Sequence, residues 1–280
     1  MKIIIHGGFI GESLTNPETK KAKQDSLGRI AEMAYEFLST HTAAETVVYA
    51  VSLLEDDELF NAGLGSHIQS DGKVRLSASL MDGNTQKFSG VINLENVKNP
   101  IQVAAQLVGY DDRVLSGEGA LAFARENGFE YYDPITPQRL LEYEEKSNSR
   151  DRKGTVGCVA LDVNGHIAAA TSTGGKGFEI PCRVSDSATV AGNFANEFAG
   201  ISCTGVGEDI VSGALAAKIV TRVTDGFSLA TACDKSFAEL KAFDGFAGVI
   251  GISANGEIYH CDSHPTMVWA SFDVNLQVFN

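Results

Sequence analysis

Apolar and polar residues follow two different periods along this chain, and these periods predict helices and strands in separate runs. Between Lys20 and Ser39 the apolar residues recur at three- and four-residue steps, which is typical of an amphipathic helix. A second helix is predicted from Thr42 to Leu54, and the preceding KIIIHGG is predicted to be a short buried strand. Two later helix pairs are predicted: NPIQVAAQLV with GEGALAFARENG, and GEDIVSGALAAKIVTRV with SLATACDKSFAELKAF.

Between the helices the period changes to two, and three dipeptides typical of hairpin turns occur: Asp71-Gly72, Asn164-Gly165 and Asn255-Gly256. Each supplies the positive φ of a type I′ turn, which favours antiparallel pairs over βαβ crossovers. Runs of strands and paired helices predict an α+β fold of sheets covered by helices. We expect one domain over residues 1–280, in which only Asp133–Gly154 resembles a linker.

Composition excludes several classes of partner. Asp and Glu number 36 against 22 Lys and Arg, and the net charge of −14 disfavours binding to nucleic acid or anionic lipid. No apolar run approaches the ~18 residues of a membrane span, and the start is too short for a secretory signal, so a cytoplasmic protein is expected. The five cysteines are predicted to be free thiols. HCDSH lacks the helix on which zinc ligands converge, and His6 is expected to be hydrogen-bonded rather than a base.

The junction Gly154-Thr155 is the first candidate for chemistry, because a polar run stops there and a strand-like segment begins. A threonine hydroxyl needs a neighbouring base to act as a nucleophile, and one solution is the free α-amino group of the same residue. Such an amine titrates at about 7.7–8.0, so cleavage before Thr155 would create a base active near neutral pH. Considered alone, this segment favours a threonine that merely opens a strand, as β-branched residues often do.

Other motifs accompany this junction. In chain order they are HGG (6–8), LFNAGLGS (59–66), MDGNT (81–85), GTVG (154–157), TSTGG (171–175), PCRVSD (181–186) and SCTGVGE (202–208). Together they resemble the plant-type asparaginase and isoaspartyl peptidase family of N-terminal nucleophile hydrolases, over essentially the whole chain. The resemblance implies a four-layer αββα sandwich, made as a precursor and cut into an α chain (1–154) and a β chain (155–280). It also implies that two such pairs associate.

The resemblance assigns catalytic roles to five residues. Thr155 is expected to be the nucleophile and, through its freed amine, the general base. Thr173 is expected to orient that hydroxyl or amine, and Asn61 to lie beside it. Thr204 and the backbone N–H of Gly205 are expected to form the oxyanion hole, where each donor typically contributes about 2.7–4 kcal/mol.

The resemblance also implies a substrate pocket and a cation site. Arg183 is expected to grip the substrate α-carboxylate, Asp186 to accept from its α-ammonium group, and Gly207 to line the same pocket. LLEDDELFNAGLG resembles the family's sodium loop, in which a structural monovalent cation, expected to be Na⁺, is held by backbone carbonyls. The matching residues are Leu54, Glu55, Asp57, Phe60, Ala62 and Leu64.

The implied activity is hydrolysis of β-aspartyl dipeptides and of the L-asparagine side-chain amide through a β-aspartyl ester on Thr155. Two alternatives remain open: a glycosylasparaginase-like specificity on the same chemistry, and an uncut, non-catalytic protein that binds aspartate-like ligands. Phe9 follows HGG where the family has small residues, and Cys182 stands where glycine is common. Both differences lie at the expected pocket rim, so the leaving-group preference stays open.

Overall fold

The computed structural model describes residues 1–9, 16–145, 154–264 and 266–280. Within those ranges the helices are α1 (Pro17–Leu38), α2 (Ala43–Glu55), α3 (Pro100–Leu107), α4 (Gly117–Glu126), α5 (Pro137–Glu144), α6 (Gly207–Gly213), α7 (Leu215–Thr224) and α8 (Leu229–Lys241). The strands are β1 (Lys2–Phe9), β2 (Leu76–Asp82), β3 (Lys87–Leu94), β4 (Val114–Ser116), β5 (Val156–Leu161), β6 (Ile167–Thr173), β7 (Asn193–Ala195), β8 (Ala199–Gly205), β9 (Ala247–Ser253), β10 (Ile258–Asp262), β11 (Met267–Phe272) and β12 (Leu276–Val278). This mixture of sheets and helices agrees with the predicted class.

The strands form two sheets. The larger has the order β12-β11-β1-β5-β6-β2-β3-β4, and the smaller has the order β10-β9-β8-β7. In the centre of the larger sheet β1, β5, β6 and β2 are neighbours, each antiparallel to the next. The start of β5 therefore lies beside the end of β6, although turn and strand residues separate them in the chain.

The three largest hydrophobic clusters of the described residues lie on the faces of these sheets. Helices α1, α2 and α3 pack on the larger sheet around a cluster that includes Leu54 and Ile101. Helices α6, α7 and α8 pack on the smaller sheet around Ile201 and Ile219. A third cluster, which includes Ile250, lies where strands of the two sheets contact each other. The sheets thus meet through a mainly apolar interior, which polar side chains enter at Ser202 and Thr171 and at Asn193 and Ser79.

The first two helices begin where local capping groups satisfy their free N–H groups. The Asn16 side chain accepts from two backbone N–H groups of the first turn of α1, and Pro17 has no N–H to satisfy. In α2, Thr42 and Glu45 form a reciprocal capping box. Both predicted helices are confirmed, with α1 starting before the predicted Lys20 because the cap lies farther upstream.

Two of the predicted hairpins are confirmed. Asn164-Gly165 joins β5 to β6, and Asn255-Gly256 joins β9 to β10, both as antiparallel pairs. A further hairpin joins β2 to β3 through Gly83. There the Asp82 carboxylate accepts from the Asn84 N–H and the Thr85 hydroxyl, which closes the turn. The β5–β6 hairpin matters most, since it aligns the two strands that carry the candidate site.

The hairpin predicted at Asp71-Gly72 is confirmed as a turn but not as a strand pair. The Gln69 N–H donates to the Lys73 carbonyl at 2.8 Å and the Gly72 N–H donates to the Gln69 carbonyl at 3.0 Å, but residues 66–70 form no strand. Their backbone instead bonds to the loop after β6, where the Phe178 N–H donates to the Ile68 carbonyl at 2.9 Å. Strand β2, which would have been the partner, is already paired on both edges by β3 and β6. Tertiary pairing therefore prevented the predicted strand pair, although the turn itself forms.

Two helical predictions differ in extent from the structure. The linker-like stretch Asp133–Gly154 contains α5, which Thr136 caps by accepting from the Arg139 N–H; residues 146–153 lie outside the described residues. The helix predicted from GEDIVSGALAAKIVTRV is broken into α6 and α7 at Ala214, which has a left-handed φ of 47°. Among the described helices, none has the length and apolar character needed to cross a bilayer.

Replacing Ile250 with alanine should lower the free energy of unfolding by about 2–5 kcal/mol, because its side chain is fully buried between the sheets and truncation leaves a cavity. Urea unfolding followed by circular dichroism measures this change. Ile180→Ala is the matched control, since that side chain is 80% exposed and its loss should change stability by less than about 0.5 kcal/mol. Equal effects for both variants would contradict the assignment of Ile250 to a packed core.

Candidate active site

Thr155 immediately precedes β5 and lies beside the end of β6. The ladder between these strands pairs Val156 with Ser172, so Thr155 comes opposite Thr173. The Thr155 hydroxyl donates to Thr173 Oγ1 over 3.3 Å, and both side chains are buried. The β5–β6 hairpin therefore brings together the expected nucleophile and the residue expected to orient it.

The carbonyl of Gly154, on the bond that would be cut, accepts two hydrogen bonds. Asn61 Nδ2 donates to it at 2.6 Å and the Thr173 hydroxyl donates at 3.4 Å. Asn61 is itself fixed, because its Oδ1 accepts from the His67 N–H at 2.9 Å and its Nδ2 also donates to the Gly175 carbonyl at 2.5 Å. Donors aimed at a carbonyl oxygen stabilise the negative charge that develops there during nucleophilic attack.

Strand β8 of the smaller sheet faces β5 and β6. Successive inward-pointing residues of β8 lie opposite successive residues of those two strands. A Cβ on Gly200 would contact Val159 and Ile167, whereas Ser202 Oγ contacts Thr171 Oγ1 at 2.7 Å. Because every second strand residue points to the same face, Thr204 comes next, at the level of Thr155. Its buried hydroxyl has no hydrogen-bond partner among the described residues. An unsatisfied buried donor facing the nucleophile is the feature that an oxyanion hole requires.

Gly205 follows Thr204 in a backbone conformation that only glycine adopts readily. Its φ is 138°, and a Cβ at this position would lie 2.5 Å from the Phe246 carbonyl. The Val206 N–H donates to that same carbonyl at 2.9 Å. The close contact with Phe246 therefore holds the backbone at Gly205 in one conformation beside Thr204.

A chain of buried, hydrogen-bonded polar groups lies next to Thr155 and Thr173, two residues farther into the sheets. His6 Nε2 and Ser202 Oγ are 2.9 Å apart, and Ser202 Oγ is hydrogen-bonded in turn to Thr171. Burial lowers the pKa of His6 to about 3, so its imidazole is neutral near physiological pH. A neutral, hydrogen-bonded ring agrees with the expectation that His6 braces the structure rather than acting as the base.

Arg183, Asp186 and Gly207, the residues predicted to bind the amino-acid head group, lie close together just after Thr204 in β8. A Cβ on Gly207 would lie 2.9 Å from Arg183 Nη2 and 2.8 Å from Asp186 Oδ1, so the guanidinium and the carboxylate approach the same glycine. Asp186 is buried and its Oδ2 has no hydrogen-bond partner in the described part of the chain. Burial raises the pKa of Asp186 to about 7, and nearby Arg183 offsets this only in part. A cation and an unsatisfied carboxylate side by side suit the carboxylate and ammonium groups of a free amino acid.

The loop predicted to hold sodium runs from the end of α2 to Leu64 and folds back on itself. The Leu64 N–H donates to the Glu55 carbonyl at 2.8 Å, and the Phe60 N–H donates to the Asp57 carbonyl at 3.1 Å. Gly63 is packed so closely that a Cβ would lie 2.5 Å from the Glu55 carbonyl. No group of three or more His, Cys, Asp or Glu side chains among the described residues is arranged to hold a metal. The backbone carbonyls of this loop are the ligands that the family resemblance implies.

Sequence reasoning did not identify two polar contacts that support the site. The Ser172 hydroxyl donates to Glu55 Oε1 at 2.6 Å on the helix-facing side of β6, and the same oxygen accepts from the Ile101 N–H. Burial raises the pKa of Glu55 to about 8. Ser202 is the second case. The alternation of polar residues Ser202 and Thr204 along an otherwise apolar strand is the signal that could have revealed it.

The buried carboxyl group of Asp186 should make stability depend on pH. Its folded pKa of about 7 lies above the ordinary 3.8, so the folded state binds more protons and the free energy of unfolding falls as pH rises through this window. The difference in unfolding free energy, Asp186→Asn minus wild type, should therefore rise by up to about 4 kcal/mol between about pH 4 and about pH 8. Urea unfolding at a series of pH values measures it.

Asp112→Asn is the control, since Asp112 is exposed and its removal should give a difference that stays flat over the same range. A flat difference for Asp186→Asn as well would mean that Asp186 is ionised in the folded protein throughout, which contradicts the burial argument.

Comparison with known proteins agrees with this geometry. A family model described as asparaginase matches residues 1–277. An isoaspartyl peptidase/L-asparaginase from Synechocystis is 47% identical, with 96% of this chain and 87% of that protein covered. The isoaspartyl peptidase of Escherichia coli is 36% identical (91% and 88% covered), and a plant-type L-asparaginase of Thermococcus kodakarensis is 35% identical (91% of each). The resemblance carried by the motifs is confirmed: the chain belongs to the asparaginase family that these isoaspartyl peptidases and plant-type L-asparaginases represent.

Proposed function

We propose that this chain is a threonine hydrolase of the N-terminal nucleophile type, with the αββα sandwich implied by its family. It is made as a precursor and cuts itself between Gly154 and Thr155. The observation that carries this proposal is the Gly154 carbonyl, which accepts from Asn61 and Thr173 while the Thr155 hydroxyl lies within hydrogen-bond distance of Thr173. Helices packed on the outer face of each sheet support the four-layer arrangement.

In the self-cleavage step, Thr155 Oγ1 adds to the Gly154 carbonyl carbon and the C–N bond of the same peptide breaks. The product is an ester between Gly154 and the Thr155 side chain, and the released nitrogen becomes the α-amine of Thr155. Water then hydrolyses the ester, which leaves a carboxylate on Gly154 and restores the hydroxyl. Asn61 and Thr173 stabilise the oxyanion formed on Gly154.

The mature site would then use the new amine as its base. The α-amine takes the hydroxyl proton, Oγ1 attacks the β-carbonyl of an L-aspartyl group, and the amino leaving group departs with a proton. The leaving group is an amino acid for a β-aspartyl dipeptide and ammonia for L-asparagine. Thr204 and Gly205 hold the oxyanion, and water releases L-aspartate from the ester.

The specificity for an L-aspartyl group follows from the head-group pocket. Arg183 offers hydrogen bonds to the α-carboxylate, and Asp186 accepts from the α-ammonium group, whose charge would favour the ionised form of this buried acid. Only a substrate with a free amino-acid head satisfies both. The relatives named isoaspartyl peptidase and L-asparaginase support this class of substrate.

The loop from Leu54 to Leu64 fits a structural monovalent cation. Its carbonyls are neutral oxygen ligands with lone pairs to spare, since each accepts at most two hydrogen bonds, and hard cations prefer such ligands. Bound there, the ion would brace the loop that carries Asn61 without taking part in the chemistry. Association of two α/β pairs and a cytoplasmic location stay predictions from the sequence.

Thr155→Ala should abolish both scission and turnover, because it removes the only atom that attacks in either step. Denaturing electrophoresis and intact mass measure scission: wild type should give fragments 1–154 and 155–280, and the variant one full-length chain. Turnover is measured on a β-aspartyl dipeptide, L-asparagine and an N-glycosylated asparagine side by side. Thr155→Ser, which keeps a hydroxyl and an α-amine, is the control that should retain scission.

Scission or turnover by Thr155→Ala would overturn the assignment of the nucleophile. A wild-type chain that stays intact and binds L-aspartate without hydrolysing any substrate would instead identify a non-catalytic binder. Preference for the glycosylated substrate would favour the glycosylasparaginase-like alternative.

Asn61→Ala should slow scission by roughly a hundredfold to a thousandfold, because one of the two donors to the Gly154 carbonyl is lost. The rate is followed by intact mass after synthesis of the chain. Asn99→Ala is the matched control: Asn99 is as deeply buried, but its amide donates to the Ser52 carbonyl and to Asp56, away from the junction. If both variants cut at the wild-type rate, Asn61 does not stabilise the oxyanion.

A further inference from the structure

Glu208 has no part in the proposed chemistry, yet it makes the strongest set of ionic contacts near the pocket. Arg183 Nε donates to its Oε1 at 2.9 Å and Arg183 Nη2 donates to its Oε2 at 2.6 Å. Lys176 Nζ is 3.5 Å from Oε1. The carboxylate is thus held by a bidentate pair and by a second cation, and these contacts hold its pKa at about 2.

The pairing uses one edge of the Arg183 guanidinium and leaves the other edge available. Nε and Nη2 bond to Glu208, whereas Nη1 has no hydrogen-bond partner among the described residues. Nη2 lies at the same time against Gly207, close to the unsatisfied Asp186 carboxylate. The Nη1–Nη2 edge is therefore the part of Arg183 that a substrate α-carboxylate can reach.

Glu208 is much more exposed than Arg183, so Glu208 can hold the guanidinium from outside while Arg183 faces the pocket. The Glu208 side chain is 51% exposed and stands at the rim, whereas the Arg183 side chain is 15% exposed and points inward. An arginine side chain has many rotamers, and their entropy is lost on binding unless another contact has already fixed the side chain. The bidentate pair fixes the guanidinium plane before any substrate arrives.

We propose that Glu208 is a positioning residue that holds Arg183 with its Nη1–Nη2 edge toward the substrate α-carboxylate, and so sets the affinity for the L-aspartyl head group. This inference rests on the proposed function, in which Arg183 binds that carboxylate. It differs from a competing role, in which the Glu208 carboxylate would occupy the place of the substrate carboxylate and weaken binding. The two roles predict changes of opposite sign when Glu208 is removed.

The experiment compares wild type, Glu208→Ala, Glu208→Gln and Glu239→Ala. Glu239 is the matched control, because it is 48% exposed and also bridges a lysine and an arginine, Lys218 and Arg222, far from the pocket in sequence and on the helix layer. Calorimetry measures the Kd for L-aspartate, and steady-state kinetics measure KM and kcat for a β-aspartyl dipeptide. Intact mass reports scission in every variant.

Glu208→Ala should weaken L-aspartate binding and raise KM about tenfold or more, with kcat changed less than about twofold, because the lost contact orients the head group and not the reacting atoms. Glu208→Gln should recover part of the affinity, since its amide oxygen still accepts one hydrogen bond. Scission should proceed as in wild type, because Arg183 takes no part in that step. Glu239→Ala should match wild type in all four measurements.

Unchanged or tighter L-aspartate binding by Glu208→Ala would overturn the proposal. The proposed function can fail separately. A wild-type chain that binds L-aspartate but neither cuts itself nor hydrolyses a β-aspartyl dipeptide would refute the chemistry. The comparison of Kd values would still decide the role of Glu208. A wild-type chain that does not bind L-aspartate at all would overturn the head-group pocket and this proposal together.

Discussion

The close approach of the two sheets at Gly157 is the constraint on which the site depends. A Cβ at this position would lie 2.4 Å from His6 Nε2 and 3.0 Å from the Ser202 Cβ, so any side chain would force the sheets apart. With glycine there, Ser202 reaches both His6 and Thr171 across the interface. The same approach brings Thr204 to the level of Thr155, so that strands of both sheets would contribute to the proposed reaction.

Burying polar groups costs free energy, and two polar atoms of the site are buried without a hydrogen-bond partner. Thr204 has a buried hydroxyl without a partner and Asp186 a buried oxygen without one, among the described residues. Unsatisfied buried groups of this kind typically cost about 1–3 kcal/mol each. A ligand that supplies an oxyanion to one and an ammonium group to the other would recover that free energy on binding, which links these two unsatisfied groups to the proposed specificity.

Much of the fold could be predicted from local pattern, and two exceptions have different causes. The helices α1 and α2 follow from apolar spacing and caps, and the hairpin at Asn164-Gly165 follows from its turn residues. At Asp71-Gly72 only the turn forms, and not the predicted strand pair, because the neighbouring strand is already paired on both edges. Helix α6 ends early because the backbone at Ala214 is left-handed, which the spacing of apolar residues does not predict. Local signals describe what a segment prefers, whereas pairing depends on which partners are free.

The residue types of the proposed site and their order along the chain could be read from the amino-acid sequence, because the motifs that resemble the asparaginase family are short local runs of residues. Their distances could not. Glu208 is the clearest case: it was visible only as the last letter of a glycine-rich motif, and its pairing with Arg183 arises because a loop after β6 and the start of α6 meet in space. Contacts between segments distant in sequence depend on how the two sheets pack, and that packing is a property of the whole chain.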